Sequence, residues 1–326
     1  MEDEVIYHYC SLQSFFDILK SKELWLTSLN STNDSTELIY GKEILNNLIL
    51  NMIEESDADL KKYLHGLVKE PKDIISQSFS HTEFHGMSFV HKKDNLTHWQ
   101  KYGCNGTGIC ISLNLHILNS HIFDSDIFKK EIFDRLAHFE VIYDKEKQEK
   151  TIKERLLYLY ESTKEHQKLG DASAIIAYSV LLDLQPYFKN ECFSDEKEYR
   201  LVLKTDSIDY FQFSSDHYNS IKTLKKKRRG AVTDSNMGES FIKAYEFQQK
   251  LEILPEQKKY EIITDEIRSY YSLNLESIWN SQLIPEIIIG PHCNQNEKEL
   301  NGFLKNNGFN DTKITKSSVP TRTKIV

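Results

Sequence analysis

The chain is poor in the residues that staple, punctuate or span. Its five cysteines, Cys10, Cys104, Cys110, Cys192 and Cys293, are scattered and odd in number, and no C-x-x-C pair occurs. Neither a disulfide framework nor a zinc ribbon is indicated, and reduced thiols in a cytoplasm are the expectation. With 12 glycines and 6 prolines in 326 residues, collagen-like and linker-rich architectures are excluded. No run approaches the ~18–20 consecutive apolar residues of a membrane helix. The opening Met1-Glu2-Asp3-Glu4 is acidic where a secretory leader would be basic, so neither membrane nor secretion is expected. Positive charge is also in deficit, 41 Lys+Arg against 49 Asp+Glu for a net −8, which argues against broad nonspecific nucleic-acid affinity. Two catalytic signatures are missing as well. Gly103–Gly108 holds three glycines, but its spacing and its helix-before-strand order both fail the dinucleotide fingerprint. A G-x-S-x-G elbow is absent.

Aromatic residues are plentiful. Seventeen Tyr, 17 Phe and 3 Trp supply enough apolar surface to offset the entropy of ordering, so the chain is globular. Its length fits one large domain or two modest ones. Strand-like runs occur at Glu4–Cys10, Leu24–Thr27, Ile74–Ser80, Gly86–Val90, Ile109–Leu113, Ala137–Asp144, Glu198–Lys204, Glu286–Ile289 and Lys313–Lys316. Helical periodicity marks Ser11–Ser21, Ser35–Ile53, Ala58–Val68, Asn95–Tyr102, Lys147–Leu169, Ala172–Phe188 and Glu297–Asn306. Glu198–Lys204 reads as cleanly alternating. These elements predict an α+β fold with a mixed sheet, in which 1–205 and 281–326 form one split core. Residues 206–280 read as a mostly helical insertion. It carries the densest basic run, Lys225-Lys226-Lys227-Arg228-Arg229, which is either a solvated face or a nucleic-acid contact.

Four of the twelve histidines, His81, His85, His91 and His98, fall within eighteen residues. The zincin pattern needs Glu after the first, where Thr82 stands, so surface or turn histidines are expected there and no metal. A more informative set is spread along the chain. It comprises Tyr7-His8-Tyr9 before the helix that runs Ile18-Leu19, and Asn33-Asp34-Ser35-Thr36-Glu37. It continues with Ser88-Phe89, Trp99-Gln100-Lys101-Tyr102-Gly103 and Glu196-Lys197-Glu198-Tyr199-Arg200. It closes with Gly290-Pro291 and Ser318-Val319-Pro320-Thr321-Arg322.

In this order these pieces resemble the bacterial family called domain of unknown function 2971. The resemblance covers about 1–205 and 280–326, and departs at Ser35, where proline is common, at Ser88, where cysteine is frequent, and in the long insertion at 206–280. Relatives in abortive-infection or phage-defence settings imply an intracellular defence or toxin-type role. The strand–His–x–x–Ser–helix opening is also similar to ADP-ribosyltransferase-like folds, which bind NAD without a glycine loop. That likeness implies NAD as substrate, with no metal, and a nucleic-acid or protein target or plain hydrolysis. His8, Glu198 and Tyr102 would then be catalytic. His8, Tyr40, Trp99, Arg200 and Arg322 would hold the dinucleotide, and Asn33, Asp34 and Glu37 would form a motif turn. The residues also allow plainer roles: a strand histidine, a helix cap, core aromatics, and a Glu198–Arg200 pair on one strand face. A noncatalytic sensor or nucleic-acid-binding module using Lys225–Arg229 is the alternative. A nuclease with metal on Asp34, Glu37, Glu196 and Glu198 has no support from spacing.

Overall fold

The computed structural model describes residues 4–31, 37–68, 82–124, 136–165, 180–206, 258–263 and 266–320. The β-branched and aromatic run Val5–Cys10 forms strand β1. Ser11 stops it and caps helix α1 (Leu12–Ser21), its Oγ accepting the Ser14 N–H at 2.9 Å. Phe15, Ile18 and Leu19 recur on one face of α1 and are buried. Lys22, at φ 57°, ends the helix and β2 (Glu23–Ser28) follows. Helices α2 (Glu37–Glu55) and α3 (Ala58–Val68) lead to β3 (Thr82–Val90). The short helix α4 (Leu96–Lys101) precedes β4 (Ile109–Asn114). Helix α5 (Leu115–Asp124) starts directly after β4, because Asn114 turns its side chain back to accept the Ile117 N–H. Strand β5 (Leu136–Glu140) and helix α6 (Lys145–Glu165) come next. The remaining elements are β6 (Glu198–Asp206), β7 (Lys259–Ile263), β8 (Glu266–Asn274), β9 (Glu286–Ile289), α7 (Glu297–Asn306) and β10 (Lys313–Lys316).

The ten described strands share one sheet in the order β10-β9-β4-β1-β3-β2-β8-β7, with β6 joining β3 and β5 joining β6. Its described pairs are antiparallel except β9–β10, so the sheet is mixed and the class α+β. One face carries the main core, where Ile6, Cys10, Leu24, Leu26, Ile109, Ile111 and Ile287 meet α1, α5 and α7. A second core lies among α2, α3 and α6 with Leu181 and Phe188.

The sheet forks at β3. One edge of β3 is paired with β6 along its whole length, from Thr82–Asp206 to Val90–Glu198. The other edge is shared. β2 pairs with His85 and Gly86, while β1 reaches only Val90, through Tyr7. Met87, Ser88 and Phe89 have no strand partner on that edge among the described residues, and β1 and β2 part there.

Several expectations need correction. Residues 259–263 and 266–274 are not helical. They form a hairpin whose second strand pairs with β2 from Glu23–Asn274 to Thr27–Tyr270, because alternating Tyr271, Leu273 and Leu275 bury on the main core. The helix expected over 172–188 does not reach Phe188. It ends at Leu182, and Pro186 imposes a 3₁₀ turn over Gln185–Tyr187. Strand β6 does not alternate: residues 198–203 are buried on both faces, since β3 and β5 flank it and cores lie above and below. The expected strand at 74–80, the turn residues Asn33 and Asp34, the basic run Lys225–Arg229, His81 and Arg322 lie outside the described residues, as does the Glu37 side chain.

Candidate functional site

A cavity of about 530 Å³ occupies the fork, within the usual range of small-molecule sites. It is lined by Tyr7, His8 and Tyr9 of β1, by Trp25 and Thr27 of β2, and by Gly86–Val90 of β3. The start of α1, Tyr102, Glu198 and Glu261–Ile262 of β7 complete it. Pleat alternation puts His8 on the face of Ile6 and Cys10, whereas Ser88 and Glu198 belong to the opposite face, beside Tyr7 and Val90. They line one cavity because β1 leaves β3 at this point.

Ser88 joins the two faces. Its carbonyl, unclaimed by a strand on the forked edge, accepts a hydrogen bond from His8 Nδ1 at 3.0 Å. That bond fixes the proton on Nδ1 and leaves Nε2 an acceptor. Burial lowers the His8 pKa, and the Ser88 bond offsets it only in part, so the ring is neutral. The Ser88 hydroxyl, exposed to the cavity, donates to Glu198 Oε2 at 3.2 Å.

Glu198 itself is locked from behind. Oε2 also receives Arg200 Nε at 2.7 Å and Nη2 at 2.5 Å, and Oε1 receives Lys189 Nζ at 2.8 Å. Lys189 also bonds Glu196 Oε2 at 2.6 Å, and Lys101 bonds Glu196 Oε1 at 2.9 Å. Burial alone would raise the Glu198 pKa, but Arg200 and Lys189 outweigh it and hold the carboxyl well below the ordinary range. Glu198 is therefore an ionised carboxylate that orients Ser88 and places negative charge at the wall.

The other expected residues divide sharply. Tyr102 lines the cavity, but burial and a hydrogen bond to Glu196 raise its pKa and keep the phenol protonated; it serves as a donor and a ring, not a base. Trp99 is no stacking platform. It is fully buried, packs edge-on against Tyr9 at 4.8 Å and donates Nε1 to Asp94 at 2.9 Å. Arg200 is no phosphate ligand, being 2 % exposed, committed to Glu198 and bonded to the Pro186 carbonyl at 3.1 Å. Tyr40 belongs to the second core, where its hydroxyl donates to Gln148, and it does not line the cavity. The histidine group is not at the surface throughout either: His85 and His98 are buried.

Much of the ordered motif set turns out to be scaffold. Asp94, at φ 54°, collects Trp99 Nε1, the Ser317 hydroxyl, and the Ser318 N–H and hydroxyl. Tyr9, Trp99, Cys110 and Ile288 pack together beside Tyr102 and Val319. The glycine loop closes on the Gly-Pro stop, with Gly290 N–H to Gly108 O at 3.0 Å and His292 N–H to Gly106 O at 2.8 Å. These contacts hold β1, α4 and the chain after β10 in register around the fork.

Residues 98–201 match the family model described as Protein of unknown function (DUF2971). The match supports the DUF2971 resemblance and covers Trp99, Tyr102, Lys189, Glu196, Glu198 and Arg200, the wall behind the cavity, but neither His8 nor Ser88. No curated protein and no solved structure matches the chain. Within the DUF2971 segment, sequence reading missed Lys189. It stands alone between Phe188 and Asn190 with no periodic signal, and gains meaning only from the carboxylates folded over it. Ser88 and Trp25 carried too little local pattern to be ranked as site residues.

Proposed function

We propose that the fork cavity binds NAD and that the protein cleaves its nicotinamide–ribose bond, in an intracellular defence or toxin-type role. What carries this reading is the meeting of His8, Ser88, Glu198 and Tyr102 on one cavity. In the reaction the C1′–N bond breaks, its electron pair leaves with the nicotinamide ring, and water or a nucleophile on a target takes C1′ and loses a proton. The ribose passes through an oxocarbenium-like state. Glu198 supplies negative charge facing that state, and the ring of Tyr102 or Trp25 supplies a stacking surface. Neutral His8 Nε2 and the Ser88 hydroxyl lone pairs accept from ribose hydroxyls.

The test is release of nicotinamide from NAD by the purified protein, followed by chromatography. His8→Ala and Ser88→Ala are expected to abolish release while the thermal midpoint stays close to that of the parent. Release that continues unchanged in both variants would falsify the proposal. Glu198→Gln is a poorer probe. It strips Lys189 and Arg200 of a buried counter-charge, which is expected to cost about 3–5 kcal/mol of stability.

A further inference from the structure

The hydrogen-bonding inventory of the cavity is lopsided. Most of its polar side chains spend their donors within the protein. Gln13 donates to Asp17 at 2.9 Å, Thr27 to the Gly86 carbonyl at 3.4 Å, Ser88 to Glu198, and His8 Nδ1 to the Ser88 carbonyl. What faces a ligand is chiefly acceptor: His8 Nε2, the Ser88 oxygen, and the carboxylates of Asp17 and Glu261. Among the described lining residues there is no lysine or arginine. Phosphate oxygens only accept at neutral pH and call for cations or free N–H groups, so this lining repels them. Hydroxyl groups and a cationic ring suit it, the ring also by lying against Trp25 or Tyr7.

Trp25 offers its ring and not its donor. The indole N–H is buried without a hydrogen-bond partner among the described residues and is closed off from the cavity. The ring lines the cavity and stacks on Tyr270 at 4.7 Å.

Features of the opposite sign are few and partly engaged. At the start of α1, Ser11 Oγ takes the Ser14 N–H, which leaves the first-turn N–H groups of Leu12 and Gln13, and Asp17 follows with its carboxylate within the next turn. Lys259 bonds Ser272 Oγ at 2.7 Å and lies 3.4 Å from Glu23. Arg268, opposite Glu261 in the hairpin, bonds Glu266 at 3.1 Å.

We infer that the fork cavity takes the phosphate-free, hydroxyl-bearing ribosyl–base end of its ligand, with the base lying against the Trp25 ring, and leaves the diphosphate outside. This deepens the NAD reading and rests on it for the identity of the base.

Calorimetric binding of nicotinamide riboside, with inorganic pyrophosphate as competitor, tests the inference on the full chain. The riboside is expected to bind, and millimolar pyrophosphate to leave its affinity unchanged. Trp25→Leu is expected to weaken it about three- to tenfold, the loss of an aromatic face against the cationic ring, and Asp17→Asn by a similar factor. Displacement by pyrophosphate, or riboside affinity unaltered in both variants, overturns the inference. The two readings fail separately. Riboside bound without nicotinamide release from NAD removes the cleavage and keeps the subsite. NAD cleaved by a protein whose riboside is displaced by pyrophosphate removes the subsite and keeps the cleavage.

Discussion

At the scale of single residues, the buried histidines set how the protein responds to acid. His85 is fully buried, with Ser269 Oγ 3.2 Å from Nε2 and Thr205 Oγ1 3.4 Å from Nδ1. Burial, and secondarily Lys258, push its pKa down to about 3 from 6.5. Above pH 6.5 the ring is neutral in both folded and unfolded chains and contributes no pH dependence. Between 6.5 and about 3 the unfolded chain takes up a proton that the folded chain refuses, so stability falls with acid by up to about 1.4 kcal/mol per pH unit. His8 and His98 are shifted the same way, both by burial. Glu198 adds to the loss at pH values below 4.5, where the unfolded chain begins to protonate it. Urea unfolding at pH 7.5, 6.5, 5.5 and 5.0 should show this decline, and His85→Gln should flatten it without abolishing it. Parallel slopes for the two proteins would place the acid sensitivity elsewhere. The sequence makes His8 visible, because it sits in an aromatic strand that runs straight into a capped helix. It hides His85, because a histidine on a two-sided strand looks the same whether its neighbours will be water or Tyr271.

At the scale of elements, legibility follows how local the determining physics is. α1 and α7 are read to within a residue, because a Ser or Asn cap and an apolar face at helical spacing are contained in ten residues. α5 is not legible in the sequence at all, because a strand residue, Asn114, doubles as its cap. β6 reads as cleanly alternating in sequence but is covered on both faces, because its second covering comes from α2, far away in the chain, and from the turn at Pro186. The glycine loop is the converse case, conspicuous in sequence and structural in role. A methyl group on Gly108 would stand 2.2 Å from the Cys10 carbonyl oxygen, and one on Gly290 would stand 2.3 Å from that of Gly106. Neither neighbour is a flexible side chain, so backbone must move, and it is the backbone that positions β1 at the fork. Gly108→Ala and Gly290→Ala should each cost about 1–3 kcal/mol as overpacking. They should also weaken nicotinamide riboside binding, whereas Gly302→Ala, on the open face of α7 with nothing within 4 Å, should do neither. Thermal midpoints and calorimetry on the three variants separate these outcomes.

At the scale of the whole molecule, the cavity exists because three distant parts of the chain fail to close one sheet. β1 turns towards β4, β2 turns towards β8, and β3 stays with β6. The hairpin β7–β8 is essential to this geometry, because its pairing with β2 holds β2 away from β1 and supplies Glu261 to the cavity. A helical insertion standing apart from the core would leave the main unfolding transition indifferent to its apolar residues. The hairpin and the turn after it instead place Leu273 and Leu275 at 8 % and 0 % exposure in the same cluster as Leu24 and Ile111. Leu273→Ala and Leu275→Ala are therefore expected to lower the stability of the entire fold by about 2–5 kcal/mol each, in a single transition seen alike by tryptophan fluorescence and far-ultraviolet dichroism. Ile267→Ala, on the same face of that strand but at its far, exposed end with 75 % exposure, should shift it by less than about 0.5 kcal/mol. A separate early transition in the leucine variants, with the main one unmoved, would detach the hairpin from the core and with it the account of why the sheet stays open at the fork.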